Sequence, residues 1–274
     1  RPKTLVDMFY YPKLGAGMLW EKFEEEIRSK NIEVVKNAEV INIDDIDEMM
    51  TLEYLSDGDI KKVSCKHVLF SNPLLDFINF YKDELPNDVI NAAARLEYRN
   101  HISVHITIDE KLFDDNWIYI HSPELQMARI ADFTNFSKDM SVEGNYPLTL
   151  EYFCFEDDEI WNSDKNDVID FAISELKQIF KEEFQVVHSD ITKNPKAYPV
   201  IRTGYEENLN ILREWLSKKK NLTAIGRSGM FKYNNQDHAM ATGLYAVRNL
   251  LGKGSFDPWE VNVDGEYHEE ITRA

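Results

Sequence analysis

Apolar positions along the chain switch between two periods, and each switch predicts an element. Over residues 18–30, Leu19, Trp20, Phe23 and Ile27 recur at three- and four-residue spacing, which predicts an amphipathic helix ended by Asn31. Apolar runs at 33–36 and 40–43 predict short strands. Residues 51–56 and 60–64 flank Asp57-Gly58-Asp59 and predict a hairpin, since Asp-Gly accepts the positive backbone angles of a tight turn. Residues 65–70 read as a buried strand stopped by Ser71-Asn72-Pro73, and residues 74–96 as two helical pieces separated at Pro86. From 99 to 109 the period becomes two, with Ile102, Val104, Ile106 and Ile108 on one side of a half-buried strand. Residues 117–121, 126–133 and 148–155 continue as strands, so the middle of the chain predicts an antiparallel sheet.

Residues 166–184 give the clearest helix, with Ile169, Ile173, Leu176, Ile179 and Phe180 in one core-facing stripe. The last third alternates again: a helix over 206–218, a strand over 222–225, a loop over 226–229, and a helix over 237–251 ended by Gly252. No internal repeat or low-complexity linker interrupts this order. The fold class is therefore α/β (α+β), with two flanking α/β regions, 1–73 and 201–274, around a region at 74–200 that holds the mostly antiparallel sheet.

Charge narrows the partners. The 274 residues carry 49 acidic and 31 basic side chains, a formal net charge of −18. Such a field repels nucleic acid and anionic membrane, and no Lys/Arg-rich stripe offsets it. No apolar run approaches the roughly 18 residues of a membrane span, and no leader-like segment is visible. Cys65 and Cys154 are too few for a disulfide framework and read as free thiols in a reducing, cytoplasmic setting. The chain starts at Arg1 and enters at once into what reads as the middle of a domain, so a piece of a longer polypeptide is expected. Oligomeric state is not legible.

The densest candidate chemistry is the run GRSGMFKYNNQDHAMATG, residues 226–243. Glycines directly after a strand let a backbone approach a ligand closely. The helix that follows presents free N–H groups and a positive dipole end, which suit phosphate or another electron-rich ligand. A plainer reading stands beside it, in which Asp237 caps the helix and Asn234-Asn235 is a turn. Elsewhere, His101 and His105 share one strand face without a carboxylate at metal spacing, so no metal site is expected. No GxSxG, HExxH or Cys/His pair offers a hydrolase nucleophile or metal, and the acidic run 156–159 reads as a solvated loop.

Gly226-Arg227-x-Gly229-x-Phe231-x-Tyr233-x-x-x-Asp237-x-Ala239-Met240 resembles the C-terminal flavin motif of the UDP-galactopyranose mutase family, and of related FAD-dependent amine oxidases and protoporphyrinogen oxidases. The opening run Tyr11-Pro12-Lys13-x-Gly15-x-Gly17-Met18-Leu19-Trp20 and the segment Ile32 to Val40 resemble an earlier portion of those proteins. Val68 to Pro73 resembles their strand returning to the flavin domain. The resemblance implies FAD as cofactor, with Gly226, Arg227, Asp237, His238, Ala239 and Met240 against the flavin and ribityl chain and Val40 on the adenosine side. It also implies that Arg227 and Tyr233 face a sugar-nucleotide diphosphate, which suits the planar fork of arginine. Arg202 after the segment 198–201 and Tyr11 in the loop Phe9-Tyr10-Tyr11 are further substrate-side candidates. For Arg227 and Arg202 structural or surface ion pairs are the plain alternatives, and for the rings, packing.

The family's GxGxxG turn, which holds the FAD pyrophosphate, has no counterpart here. The chain alone is therefore expected to bind FAD weakly or not at all, and to be inactive. The resemblance implies a flavin-dependent oxidoreductase that passes hydride from a small organic substrate to flavin, with no catalytic residue identified. The alternative is a nucleotide-sugar ring-contracting mutase, which the arginines favour and which the expected sheet over 117–155, unlike the mutase's helical substrate region, speaks against. A role in cell-surface polysaccharide synthesis fits either.

Overall fold

The computed structural model describes residues 10–46, 49–181 and 183–262. Their apolar side chains sort into two separate cores, and each core belongs to one compact unit.

The first unit comprises Val35–Tyr98 and the described part of Tyr198–Ala274. Strands β1 (Ala38–Ile46), β2 (Met49–Ser56) and β3 (Asp59–Cys65) form an antiparallel sheet in that order. The β2–β3 turn has two residues, Asp57 at φ 55° and Gly58 at φ 84°, with Ser56 paired to Asp59. Both angles are left-handed, which is the backbone that keeps a two-residue hairpin in step with strand twist. Strand β4 (Val68–Phe70) lies parallel to β10 (Leu222–Ala224), with Phe70 opposite Ala224. Helices α2 (Leu74–Ile78), α3 (Asn87–Ala93), α6 (Tyr205–Ser217) and α7 (Gln236–Leu250) complete the unit. Its core stacks Phe70 on Phe77 with centroids 3.7 Å apart and buries Leu74, Ile78, Leu212, Met230 and Phe231.

The second unit comprises the described part of Met8–Val34 and Arg99–Ala197. It holds α1 (Gly17–Ser29) and a five-stranded sheet built from β5 (Tyr98–Ile108), β6 (Trp117–Tyr119), β7 (Arg129–Asp132), β8 (Tyr146–Cys154) and β9 (Val186–Pro199). The strand order is β6-β7-β8-β5-β9. Short α4 (Glu159–Asn162) precedes α5 (Lys165–Ile179). Register places Ile102 opposite Tyr152 and Val104 opposite Leu150, so one face is continuous apolar surface. That face meets Val168, Ala172 and Leu176 of α5. Glu175 sits among them, 2% exposed, and accepts hydrogen bonds from Gln126 N at 2.6 Å, Met127 N at 3.0 Å and the Tyr152 hydroxyl at 2.9 Å. A buried carboxylate is tolerable here because three donors replace its hydration.

The opposite face is polar. Glu151 of β8 accepts from Arg129 Nε at 3.0 Å and Nη2 at 2.5 Å, and pairs with His101 Nε2 at 3.2 Å. His105 Nδ1 lies 2.9 Å from the Thr149 hydroxyl.

Several expectations need correction. Residues 33–36 are not a strand, because no neighbouring strand takes up their backbone. The helix over 166–184 stops at Ile179. Strand β9 was not anticipated over most of its length. None of α1 is buried, and Met18, Leu19, Trp20 and Phe23 are each exposed despite their helical spacing. Among the described residues no helix is long and apolar enough to cross a membrane.

Two outcomes follow for stability. Replacing Glu175 by alanine strands two buried donors, Met127 N and the Tyr152 hydroxyl, and the part-buried Gln126 N, and is expected to cost about 3 kcal/mol, read from urea unfolding. Burial pushes the Glu151 carboxyl up, but hydrogen bonds from His101 and Arg129 outweigh it and hold the group below its ordinary value. A folded-state value below the unfolded one gives stability that is present above the unfolded value and is lost as pH falls through the folded one. Glu151→Gln is therefore expected to flatten the acid limb of a stability–pH curve. An unchanged limb contradicts the assignment.

Candidate functional site

Strand β10 delivers the chain to Ile225, whose N–H donates to Phe70 O at 2.9 Å and so extends the parallel pair by one bond. Gly226 then turns the chain at φ +81°. Its N–H donates to the Thr242 hydroxyl at 2.8 Å, and its carbonyl accepts from Asn234 Nδ2 at 2.9 Å. The Thr242 hydroxyl in turn donates to Ala239 O at 2.7 Å, so the first turns of α7 hold the glycine peptide. Two residues on, the Ser228 carbonyl accepts from the Tyr98 hydroxyl at 2.7 Å and from Leu74 N at 3.1 Å. Gly229 has no room for a side chain, because a Cβ there would lie 2.6 Å from Ile225 O and 2.8 Å from Phe70 O. Phe231, fully buried, takes a left-handed φ of 49°.

This scaffold presents Arg227. Its guanidinium carbon sits 4.3 Å from the Tyr198 ring centre and 4.4 Å from that of Tyr233. The two rings are 5.8 Å apart and inclined by 37°, so the arginine occupies the corner between them. Nη1 donates to Asn234 O at 2.9 Å. Nε and Nη2 are buried and have no hydrogen-bond partner, and no carboxylate of the described residues pairs with the group. The ion pair weighed as its plain alternative is thus not what holds Arg227. Two buried donors without acceptors are costly in a folded protein and suit an incoming planar or anionic acceptor.

The start of α7 lies beside this loop in sequence and is joined to it through Thr242 and Asn234. Its cap is Asn235, not Asp237. The Asn235 side chain accepts from the third helical N–H, and His238 Nδ1 accepts from Asn235 N at 3.2 Å, a reciprocal capping box. Asp237 is exposed at the second helical position, and His238 and Ala239 are half-buried, while Met240 is exposed. Val40 lies exposed on β1 at a register shift between Val40 and Asn42. Arg202 forms a surface ion pair with Glu97. Tyr11 belongs to the second unit, where its ring packs 4.8 Å from Phe136, and Tyr10 is exposed; Phe9 lies outside the described residues.

The structure thus gathers Gly226, Arg227, Tyr233 and the start of α7, and adds Tyr198, Asn234 and Thr242, which sequence reasoning did not single out. The Tyr198-Pro199 step gave a location but not a contact across 29 residues. Among the described residues no group of three or more His, Cys, Asp or Glu side chains could hold a metal.

In the first unit a parallel strand pair is thus followed by a glycine loop and the N-terminus of α7. The family model for flavin-containing amine oxidoreductases matches residues 5–251, and the chain belongs to that family. No curated protein sequence matches. Among solved structures, reduced UDP-galactopyranose mutase matches at 21% identity and a TM-score of 0.76, over 92% of this chain and 55% of that one. A protein provisionally assigned as a protoporphyrinogen oxidase from Exiguobacterium sp. 255-15 matches at 14% identity and 0.62, over 78% and 46%. An oxidoreductase from Methanosarcina mazei matches at 13% and 0.52, over 78% and 49%. At these identities the likeness is one of fold, and the chain spans about half the length of the structures it matches. The mutase match covers 92% of the chain, so the sheet at 117–155 does not separate this fold from the mutase's, contrary to the expectation drawn from sequence.

Gly229→Ala is expected to destabilise the protein by about 2–4 kcal/mol, through backbone clash at Phe70 O, whereas Gly243→Ala, whose added Cβ would meet only the Ile225 side chain at 3.9 Å, is expected to be near neutral. Equal urea midpoints for the two variants would contradict the packing described.

Proposed function

We propose that this chain is the C-terminal part of a flavin-dependent enzyme whose substrate carries an anionic diphosphate, a nucleotide-sugar mutase-type reaction. The observation that carries this reading is Arg227, fixed by two rings and one carbonyl while two buried N–H groups stay without acceptors. An arginine held this way, with no carboxylate partner among the described residues of a chain of net charge −18, is suited to an outside anion. Family membership supports FAD as the cofactor.

The residues fit that group. Gly226 gives a side-chain-free approach, and the orphaned guanidinium donors of Arg227 would serve an incoming oxygen acceptor. When bound, the flavin supplies the electron-pair or hydride chemistry. The protein's own part is to bind and orient. Gly226, Arg227, Asp237, His238, Ala239 and Met240 would hold the ring and its chain, with Val40 on the adenosine side. The positive end of α7 favours negative charge nearby. Arg227 and Tyr233, with Tyr198, hold the diphosphate, and Arg202 and Tyr11 are further substrate contacts. Buried Met230 and Phe231 keep water from the back of the loop. Binding of FAD by the chain alone is expected to be weak, since it lacks the glycine-rich turn that holds the pyrophosphate. A cytoplasmic place and a role in cell-surface polysaccharide synthesis go with this reading.

The family's own description supports a second reading, hydride transfer from an organic substrate such as an amine. Titrating UDP into the flavin-loaded full-length protein separates the two. Arg227→Ala is expected to weaken UDP by about 2–4 kcal/mol, the cost of removing a buried charge partner, with Arg227→Lys recovering only part. Failure of UDP to bind, together with anaerobic bleaching of the flavin by an amine, favours the oxidoreductase and rejects the mutase.

A further inference from the structure

Residues 256–262 follow α7 and return to the loop at 226–234, and they lie beyond the span 5–251 that the family model matches. Family membership therefore assigns them no role.

The segment is itself anchored. The Asn249 side chain of α7 donates to Phe256 O at 2.7 Å and accepts from Phe256 N at 2.8 Å, and the Tyr245 ring stacks on the Phe256 ring with centroids 4.7 Å apart. Asp257 accepts from Trp259 N at 2.9 Å, capping one helical turn at Pro258–Glu260, and pairs with Arg213 of α6. Pro258 and Val261 are buried, and Trp259 packs against the core of the first unit.

Two residues join this segment to the loop. Lys232 donates through its ammonium to Trp259 O at 2.7 Å and Val261 O at 2.5 Å, and through its backbone N–H to Arg227 O at 3.1 Å. Asn262, in left-handed backbone at φ 56°, donates through Nδ2 to Tyr233 O at 3.0 Å and to Asn234 Oδ1 at 3.2 Å. The bond to Asn234 orients a buried amide. With its oxygen facing Asn262, Asn234 turns Nδ2 to Gly226 O at 2.9 Å, while its backbone carbonyl accepts from Arg227 Nη1 at 2.9 Å. The bond to Tyr233 fixes the backbone beneath a ring that is 57% exposed and yet forms one wall of the arginine's corner. Such a ring has little packing of its own, so its place depends on the hold on its backbone.

We infer that Asn262 is a positioning residue for the arginine site. It fixes the Tyr233 wall and the Asn234 amide, and through them keeps Arg227 Nε and Nη2 set for an incoming oxyanion. The inference rests on the reading of Arg227 as an anion-binding group. Asn262 acts through other residues, and what it supplies is preorganisation, which removes an ordering cost from binding.

The test is titration of UDP into the flavin-loaded full-length protein, beside urea unfolding of the same samples. Asn262→Gly keeps the left-handed backbone and deletes the amide. Asn262→Asp keeps backbone and shape but sets an acceptor against Tyr233 O and Asn234 Oδ1. UDP is expected to bind about fivefold more weakly to the first and about tenfold more weakly to the second. In an Arg227→Ala background Asn262→Gly is expected to add nothing, because the group it positions is gone. Lowered unfolding midpoints with unchanged UDP affinity would make Asn262 a structural tether and overturn the inference, with the reading of Arg227 left standing. A full fivefold loss on top of Arg227→Ala would do the same. UDP that binds Arg227→Ala as well as the unaltered protein, or fails to bind either, overturns the reading and the inference with it.

Discussion

The Ser228 carbonyl is the point on which the first unit turns. It accepts from the Tyr98 hydroxyl and from Leu74 N, which also lies 3.0 Å from that hydroxyl. Three chain segments meet there: the exit of β4, the start of β5 and the loop after β10. Burial pushes the Tyr98 hydroxyl far above its ordinary value, so it remains a donor throughout the physiological range. Because Ser228 is pinned, Gly229 must pass within contact of Phe70 O, and only glycine can do so. The same pin leaves Arg227 facing the corner of Tyr198 and Tyr233. A local backbone constraint thereby decides where a charged side chain stands.

The electrostatics of that corner run against the rest of the molecule. Other basic groups lie at the surface beside carboxylates, as Arg202 does with Glu97 and Arg213 with Asp257. Arg227 instead has ring faces and one carbonyl. Cation–π contact offsets part of the cost of burying a guanidinium but leaves unmet N–H groups. Departures of this kind from full polar satisfaction concentrate where a protein receives a ligand. Glu175 makes the contrast within the second unit: it is more deeply buried, yet its carboxylate has three donors and reads as architecture.

Much of this was legible in the sequence where periodicity and turn chemistry agreed. The hairpin at 51–64 follows from alternation around Asp57-Gly58, and β5 and α5 follow from their apolar stripes. Strand β9 was hidden because it is an edge strand with half of its residues exposed and with Asn194-Pro195 in its run, so no face had to be apolar. Residues 33–36 misled because an apolar pair without a partner strand is not enough to make one. At the site, the motif located Gly226, Arg227 and Tyr233, whereas Tyr198 and Thr242 act through contacts that local spacing does not encode. Helix capping fell to Asn235 because its side chain and that of His238 satisfy each other's backbone, and two adjacent candidates in sequence do not reveal which will do so. Arg202 sits at the surface with Glu97, and only a bound substrate would distinguish it from an ordinary ion pair.

The proposed place of this loop and of α7 is at a flavin. The most direct test is the visible absorption spectrum of the full-length protein, purified without added cofactor. Flavin bands, released on denaturation as FAD in near-stoichiometric amount, are the predicted result. A colourless protein that takes up no added FAD would contradict the claim, and the assignments at Gly226, Arg227 and α7 would fall with it.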